Sequence, residues 1–274
     1  MKILSWNINC RSSVRRKIPD LVIESIAAKN PDVFCLNEFV KGVNYREFID
    51  RLSKLGYEAF VDPRTTGCSG NEILIAVKRE HAVMTESFVI NNDHKNPNFL
   101  HVAITRKNEE KINLIGVRIK ILSPEKNLSK DEKEKFQIKE AKERMCQLNN
   151  LVSYLEKLEG QQIYAIGDWN NYYYDDNSKI DTWKSDDTYL QNYYSYPLLV
   201  SKMATLGLTN YTPQGYSWLN KSVRSKKKYI RNDHVFSNAN VSDLNYCWAF
   251  TNSINYIPDE VGYPDHAMLL FTAH

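Results

Sequence analysis

The chain has 274 residues, 42% hydrophobic and 25% charged, with a formal net charge of +3. That is ample apolar material for a core, and the slight basicity permits an anionic partner without requiring one. No apolar run nears the ~18 residues of a membrane span. The opening segment is too short and polar for a signal-peptide core, and five scattered cysteines without a CxxC pair disfavour a disulfide framework or a zinc site, pointing to a reducing, cytoplasmic setting.

Short apolar runs of strand length recur along the chain: Ile3–Trp6, Val33–Leu36, Ile73–Val77, Leu100–Ile104, Ile112–Val117, Ile163–Ile166, Val235–Phe236 and Ala267–Phe271. Helical patterns lie between them. Leu21, Val22, Ser25 and Ile26 make a stripe ending before Asn30-Pro31. Tyr45, Phe48, Ile49, Leu52 and Leu55 repeat every three to four residues up to Gly56. The longest pattern covers roughly Ser129 to Leu158, opening in a solvated charge run and carrying Phe136, Ile138, Ala141, Met145, Leu148, Val152 and Leu155. A fourth runs from Leu198 to Leu206 and stops at Gly207. There is no repeat and no linker-like stretch, so the expectation is one domain over residues 1–274. Short connections among Ile73–Val77, Leu100–Ile104 and Ile112–Val117 favour antiparallel pairing. Together these predict two mixed sheets covered by helices.

The strand ends carry the chemistry. The first run ends in "WNIN", with Asn7 and Asn9, and the second in "CLNEF", with Glu38. The fifth ends in "GVRIK", with Arg118, and the sixth in "GDWNN", with Asp168 and Asn170. "RNDHVF" puts Asp233 and His234 at the start of a strand, and "PDHAMLL" does the same for Asp265 and His266. With alternating strand directions these ends collect on one rim. Period two along a strand turns Asp168 and Asn170 one way and Trp169 the other. Crowded carboxylates repel, and a divalent cation relieves them. Carboxylate and amide oxygens suit Mg²⁺ or Mn²⁺ rather than softer-ligand metals.

In their order, "SWNIN", "CLNEF", "GDWNN", "RNDHVFSN" and "PDHAMLL" resemble the endonuclease/exonuclease/phosphatase superfamily, which includes DNase I and exonuclease III. The stretch "GCSGNEILIAVKR" also looks like that family's Gly-rich lead into a central strand. The resemblance implies a four-layer α/β/β/α sandwich of two mixed, mainly antiparallel sheets and metal-dependent phosphoester hydrolysis. It implies Glu38 as principal metal ligand with Asp265 beside the ion, and Asn7 next to metal and phosphate. Asp168 would orient or activate water and Asn170 would contact phosphate. His266 would contact the scissile phosphate, with Asp233 bonding its other nitrogen. His234 stands where relatives often have an aromatic, which favours packing. His81, His94, His101 and His274 lack a motif and read as surface or core residues. Arg118 departs from the His or Tyr common at its position. Arg cannot serve as a general acid near neutral pH but can clamp phosphate.

Substrate is less defined. Lys221, Arg224, Lys226, Lys227, Lys228 and Arg231 precede the Asp233 motif and could follow a nucleic-acid backbone or simply be solvated. The aromatic stretch from Tyr172 to Tyr196 could stack bases or pack on the sandwich. A Mg²⁺-dependent nuclease acting on DNA or RNA is the leading expectation. A phosphatase or phosphodiesterase for an inositol phosphate, lipid head group or nucleotide is the alternative, and a non-catalytic binder a third. No membrane contact and no obligate protein partner is expected.

Overall fold

The computed structural model describes residues 1–10, 17–64, 72–88, 90, 98–108, 110–122, 127–174, 192–219, 229–257 and 262–274. In chain order the first half comprises β1 (Lys2–Asn7), α1 (Asp20–Lys29), β2 (Val33–Phe39), α2 (Tyr45–Lys54), β3 (Tyr57–Val61), β4 (Glu72–Lys78), β5 (Met84–Phe88), β6 (Phe99–Thr105) and β7 (Lys111–Arg118). The second half comprises α3 (Lys130–Leu155), β8 (Gln162–Tyr174), α4 (Tyr196–Ala204), β9 (Thr209–Tyr211), β10 (Trp218–Leu219), β11 (Tyr229–Ser237), β12 (Val241–Cys247) and β13 (Met268–Ala273). One sheet has the order β12-β13-β1-β2-β4-β3. The other has the order β10-β11-β8-β7-β6-β5, with β9 also pairing β11. Two pairs are parallel, β1 with β2 and β7 with β8.

Side-chain alternation builds the layers. In β1, β2 and β4, Leu4, Trp6, Phe34, Leu36, Leu74 and Ala76 face outward and pack with Leu21, Val22 and Ile26 of α1 and Phe48 and Leu52 of α2. Their neighbours Ile3, Val33, Cys35, Ile73 and Ile75 face inward and meet Leu114, Tyr164, Ile166 and Val235 of the second sheet. On the far side Ile163 and Ala165 of β8 pack under Ala141, Leu148 and Leu151 of α3 and Leu199 of α4. Three cores between four layers give the α/β/β/α sandwich. Helix α3 begins with a capping box between Ser129 and Glu132, a device of about 1 kcal/mol. Among the described residues no helix is long and apolar enough to cross a membrane.

Two expectations need correction. Strand β4 does not neighbour β6. The chain crosses between sheets after β4, so β4 pairs β2 and β3 while β6 pairs β5 and β7. The polar motifs also do not mark strand limits: β8 continues past Asp168 to Tyr174, and β11 begins at Tyr229, before Asp233. The two strands stay paired across the motifs through a register shift between Arg231 and Asp233.

Candidate active site

One rim of the sandwich gathers side chains from both sheets, and local backbone irregularities aim them. Asn7 ends β1, where it pairs with Asn37 of β2. The next residue, Glu38, has φ +54°, inside a register shift between β2 and β4. A non-glycine residue in the left-handed region costs about 1–3 kcal/mol and persists where the surroundings over-determine it. Asn170 (φ +45°) and Asn9 (φ +49°) are held likewise. Gly167 explains why a glycine precedes Asp168. Its φ is +137°, and a Cβ there would fall 2.1 Å from the Val117 carbonyl oxygen and 2.6 Å from Asn37 Nδ2. Only glycine lets β8 approach β7 and β2 this closely just before the carboxylate.

Among the described residues, two polar links bridge the sheets at this rim and a third ties β11 to the segment entering β13. Asn7 Nδ2 donates to Asp168 Oδ2 at 2.9 Å. Arg118 donates through Nε at 3.2 Å and Nη2 at 3.1 Å to Glu38 Oε1. His266 Nδ1 lies 2.8 Å from Asp233 Oδ2, with the indole of Trp6 donating to the His266 carbonyl at 2.9 Å. Asp168 also accepts from Asn170 through the backbone N–H at 2.9 Å and through Nδ2 at 3.1 Å. Trp169 turns away and packs on Phe236 at 4.7 Å.

Asn7, Glu38, Arg118, Asp168, Asn170, Asp265 and His266 line a single cleft of about 280 Å³. Asp233 stands behind His266, buried. Burial raises the Asp168 carboxyl to about 6, reinforced by Asp233 and Glu38 against the opposing charge of His266. Burial alone would discharge His266, but Asp233, Asp168 and Asp265 outweigh it and raise its pKa to about 10. His234 does not line the cleft. Burial depresses it to about 4, and its nitrogens meet Thr212 Oγ1 and the Asn171 carbonyl, a packing environment.

Other expected residues fall elsewhere. Arg231 is buried, and its Nε donates to the Gly215 carbonyl, so it does not line the cleft as a backbone clamp. Burial is the reason: β11 takes this side chain into the fold instead of presenting it with the basic loop. Lys221, Arg224, Lys226, Lys227, Lys228, His94 and the Gly-rich lead before Glu72 lie outside the described residues. Of the aromatic stretch, Tyr194 is buried and donates to the Trp169 carbonyl at 2.7 Å, which is packing, whereas Tyr193 is exposed. His101 is a core residue.

Sequence reasoning missed four lining residues, Ile121, Arg144, Trp218 and Asn232. Arg144 reaches the rim from α3. It pairs with Glu140 through Nε at 2.7 Å and donates through Nη1 at 2.6 Å to the Asn170 carbonyl. Its signal was available: Arg144 sits three residues after Ala141 and four before Leu148, on the buried stripe of the helix. Trp218 donates to Asp265 Oδ2 at 3.2 Å.

The donor set fits a hard divalent cation. Glu38, Asp265 and Asn7 offer oxygens, and the Glu38, Asp168 and Asp265 carboxylates line the same cleft. Among the described residues no three His, Cys, Asp or Glu side chains converge into a ready-made cage. Mg²⁺ keeps waters and takes one or two carboxylates, which Glu38 and Asp265 at this cleft could supply.

No family model and no curated protein matches the sequence. Solved structures do match. An AP endonuclease from Archaeoglobus fulgidus aligns over 100% of this chain and 99% of its own, with TM-score 0.61 and 16% identity. D. rerio TDP2 complexed with a single-stranded DNA product aligns over 100% and 98%, with TM-score 0.60 and 16% identity. A 3′ phosphatase from Neisseria bound to a product DNA hairpin aligns over 100% and 99%, with TM-score 0.58 and 16% identity. The chain therefore shares the fold of these proteins, the DNase I-like α/β/β/α sandwich.

Proposed function

We propose that this cleft hydrolyses phosphoesters with the help of Mg²⁺ or Mn²⁺, and that its substrate is a nucleic acid. The observation that supports this most is the convergence of Asn7, Glu38, Asp168, Asn170, Asp265 and His266 on one cleft from both sheets and the segment leading into β13. Similarity of fold to proteins crystallised with product DNA supports the substrate class.

Glu38 would hold the cation, with Asp265 and Asn7 as further oxygen donors; when bound, the ion supplies Lewis-acid polarisation of the phosphoryl group. Asp168, fixed by Asn7 and Asn170 and raised to about 6 by burial, can orient a water and accept its proton. His266, its ring held by Asp233, carries positive charge beside the phosphate as negative charge develops. Asn170, whose side-chain amide donates to Asp168 and to the Ile119 carbonyl, lines the same cleft and fixes Asp168 beside the phosphate. Arg118 adds a forked cation matched to the same group.

A panel of single- and double-stranded DNA, RNA and phosphorylated small molecules, run with Mg²⁺ and with EDTA, tests the reading. Oligonucleotide cleavage that is lost in EDTA and in the Glu38→Ala and His266→Ala variants is expected. EDTA-indifferent turnover rejects the metal role. Turnover confined to small phosphomonoesters transfers the same chemistry to a phosphatase.

A further inference from the structure

We propose that Arg118 is the resident counter-ion of Glu38 and must yield that carboxylate to the incoming cation, so that metal and phosphate bind cooperatively. This rests on the metal-assisted reading above and goes beyond it.

Both side chains are nearly closed to solvent, 3% exposed for Arg118 and 6% for Glu38, and two guanidinium N–H groups converge on one carboxylate oxygen. Neither backbone can retreat. The Arg118 N–H is bound to the Asn98 carbonyl at 2.8 Å, and the residue is in register with Asp168 in the parallel β7–β8 pair. Glu38 is fixed at φ +54° in its irregular turn. A buried carboxylate requires a positive partner, because leaving it uncompensated is strongly unfavourable. A guanidinium on Oε1 and a divalent ion on the same carboxylate would repel one another at short range. Entry of the ion therefore moves the Arg118 head group.

Arg118 lines the cleft, so its head group, once displaced, stays beside it. It has lost its carboxylate and gained a like-charged neighbour, and five N–H donors now face a site built for an anion. Phosphate recovers what the exchange gave up. Metal binding thus primes the phosphate clamp, and phosphate, by holding Arg118 off Glu38, tightens the metal. Linkage makes the two effects equal. The corollary is a low metal affinity in the absence of substrate, set by the chain's own cation.

Calorimetric titration of Mg²⁺ into the full chain, with and without inorganic phosphate, reads both halves. The wild type is compared with Arg118→Gln, which removes the competing charge, and Arg118→Lys, which keeps charge but loses the fork. Circular dichroism checks that each variant is folded. In the wild type, phosphate should tighten Mg²⁺ at least fivefold, the low end of about 5- to 150-fold couplings. Arg118→Gln should bind Mg²⁺ alone about tenfold more tightly, with the phosphate effect gone, and Arg118→Lys should fall between. Equal or weaker Mg²⁺ binding by folded Arg118→Gln, or no phosphate effect in the wild type, overturns the exchange while leaving the metal role intact. Should Arg118→Gln fail to fold, the phosphate effect in the wild type decides alone. No Mg²⁺ binding to the wild type under either condition overturns both readings.

Discussion

Removing Arg144 should damage stability and turnover by separable routes. Its guanidinium and the Glu140 carboxylate are paired at 6% and 9% side-chain exposure, so Arg144→Met leaves a buried carboxylate without its cation. Breaking such a pair costs roughly 3–5 kcal/mol. At about 2–4 °C per kcal/mol for a chain near this size, Tm should fall on the order of 6–20 °C. Adding Glu140→Leu removes the stranded charge and should recover most of the loss, because a buried pair replaced on both sides by apolar groups is close to neutral. Turnover should not recover with it. The Arg144 contact to the Asn170 carbonyl holds a residue at φ +45° beside Asp168. Without that contact the double variant should keep a kcat deficit on the order of 10- to 100-fold. Urea denaturation and steady-state kinetics on wild type, both single variants and the double complete the cycle. A loss below about 1 kcal/mol in Arg144→Met, or recovery of kcat together with Tm in the double variant, would refute the reasoning.

Burial holds His101 near a pKa of about 4, between the Tyr154 hydroxyl at 2.8 Å and Asn113 Oδ1 at 3.0 Å. The unfolded chain takes up this proton near 6.5 and the folded chain only near 4, so stability should be lost as pH is lowered through that window, by roughly 3 kcal/mol. Urea midpoints from pH 7 to 4 should be flatter for His101→Gln, and a constant gap between the two proteins would contradict this. Gly167→Ala drives a methyl into the Val117 carbonyl and should cost more than about 3 kcal/mol; an unchanged urea midpoint would show that β7 and β8 are not so closely apposed. Asp233→Asn should lower kcat by about two to four orders of magnitude with little change in KM, and a pure KM effect would move Asp233 out of the role of holding His266.

The layers were legible because apolar alternation is a local signal: Ile3, Val33 and Ile73 against Leu4, Phe34 and Leu74 sort themselves onto two faces. Membership of β4 in a different sheet from β6 was not, because nothing local marks a crossing between sheets. The true extent of β8 and β11 was hidden for a related reason. Gly167 and Asn170 leave the extended region, so the apolar period stops while the backbone pairing goes on. Asn7, Glu38, Asp168 and His266 could be singled out because each is polar next to a buried run. The Asp233–His266 pair came only with the family resemblance, and the Arg118–Glu38 pair was not legible at all, since the two are 80 positions apart and meet only in the folded rim. Arg144 was obscured by the charge-rich opening of its helix, although its place between Ala141 and Leu148 was the clue. Arg231 illustrates the opposite error: a basic residue beside a basic loop that the fold buries against the Gly215 carbonyl.

The central claim is that the rim joining the two sheets is a cation-dependent phosphoester site organised by Glu38 and His266. Crystals grown with Mn²⁺ and read by anomalous scattering test it most directly. The account predicts a Mn²⁺ peak against the Glu38 carboxylate, inside the cleft that His266 lines, and its loss in Glu38→Ala. A cleft without Mn²⁺ at concentrations that saturate turnover, or a peak indifferent to Glu38→Ala, would contradict it.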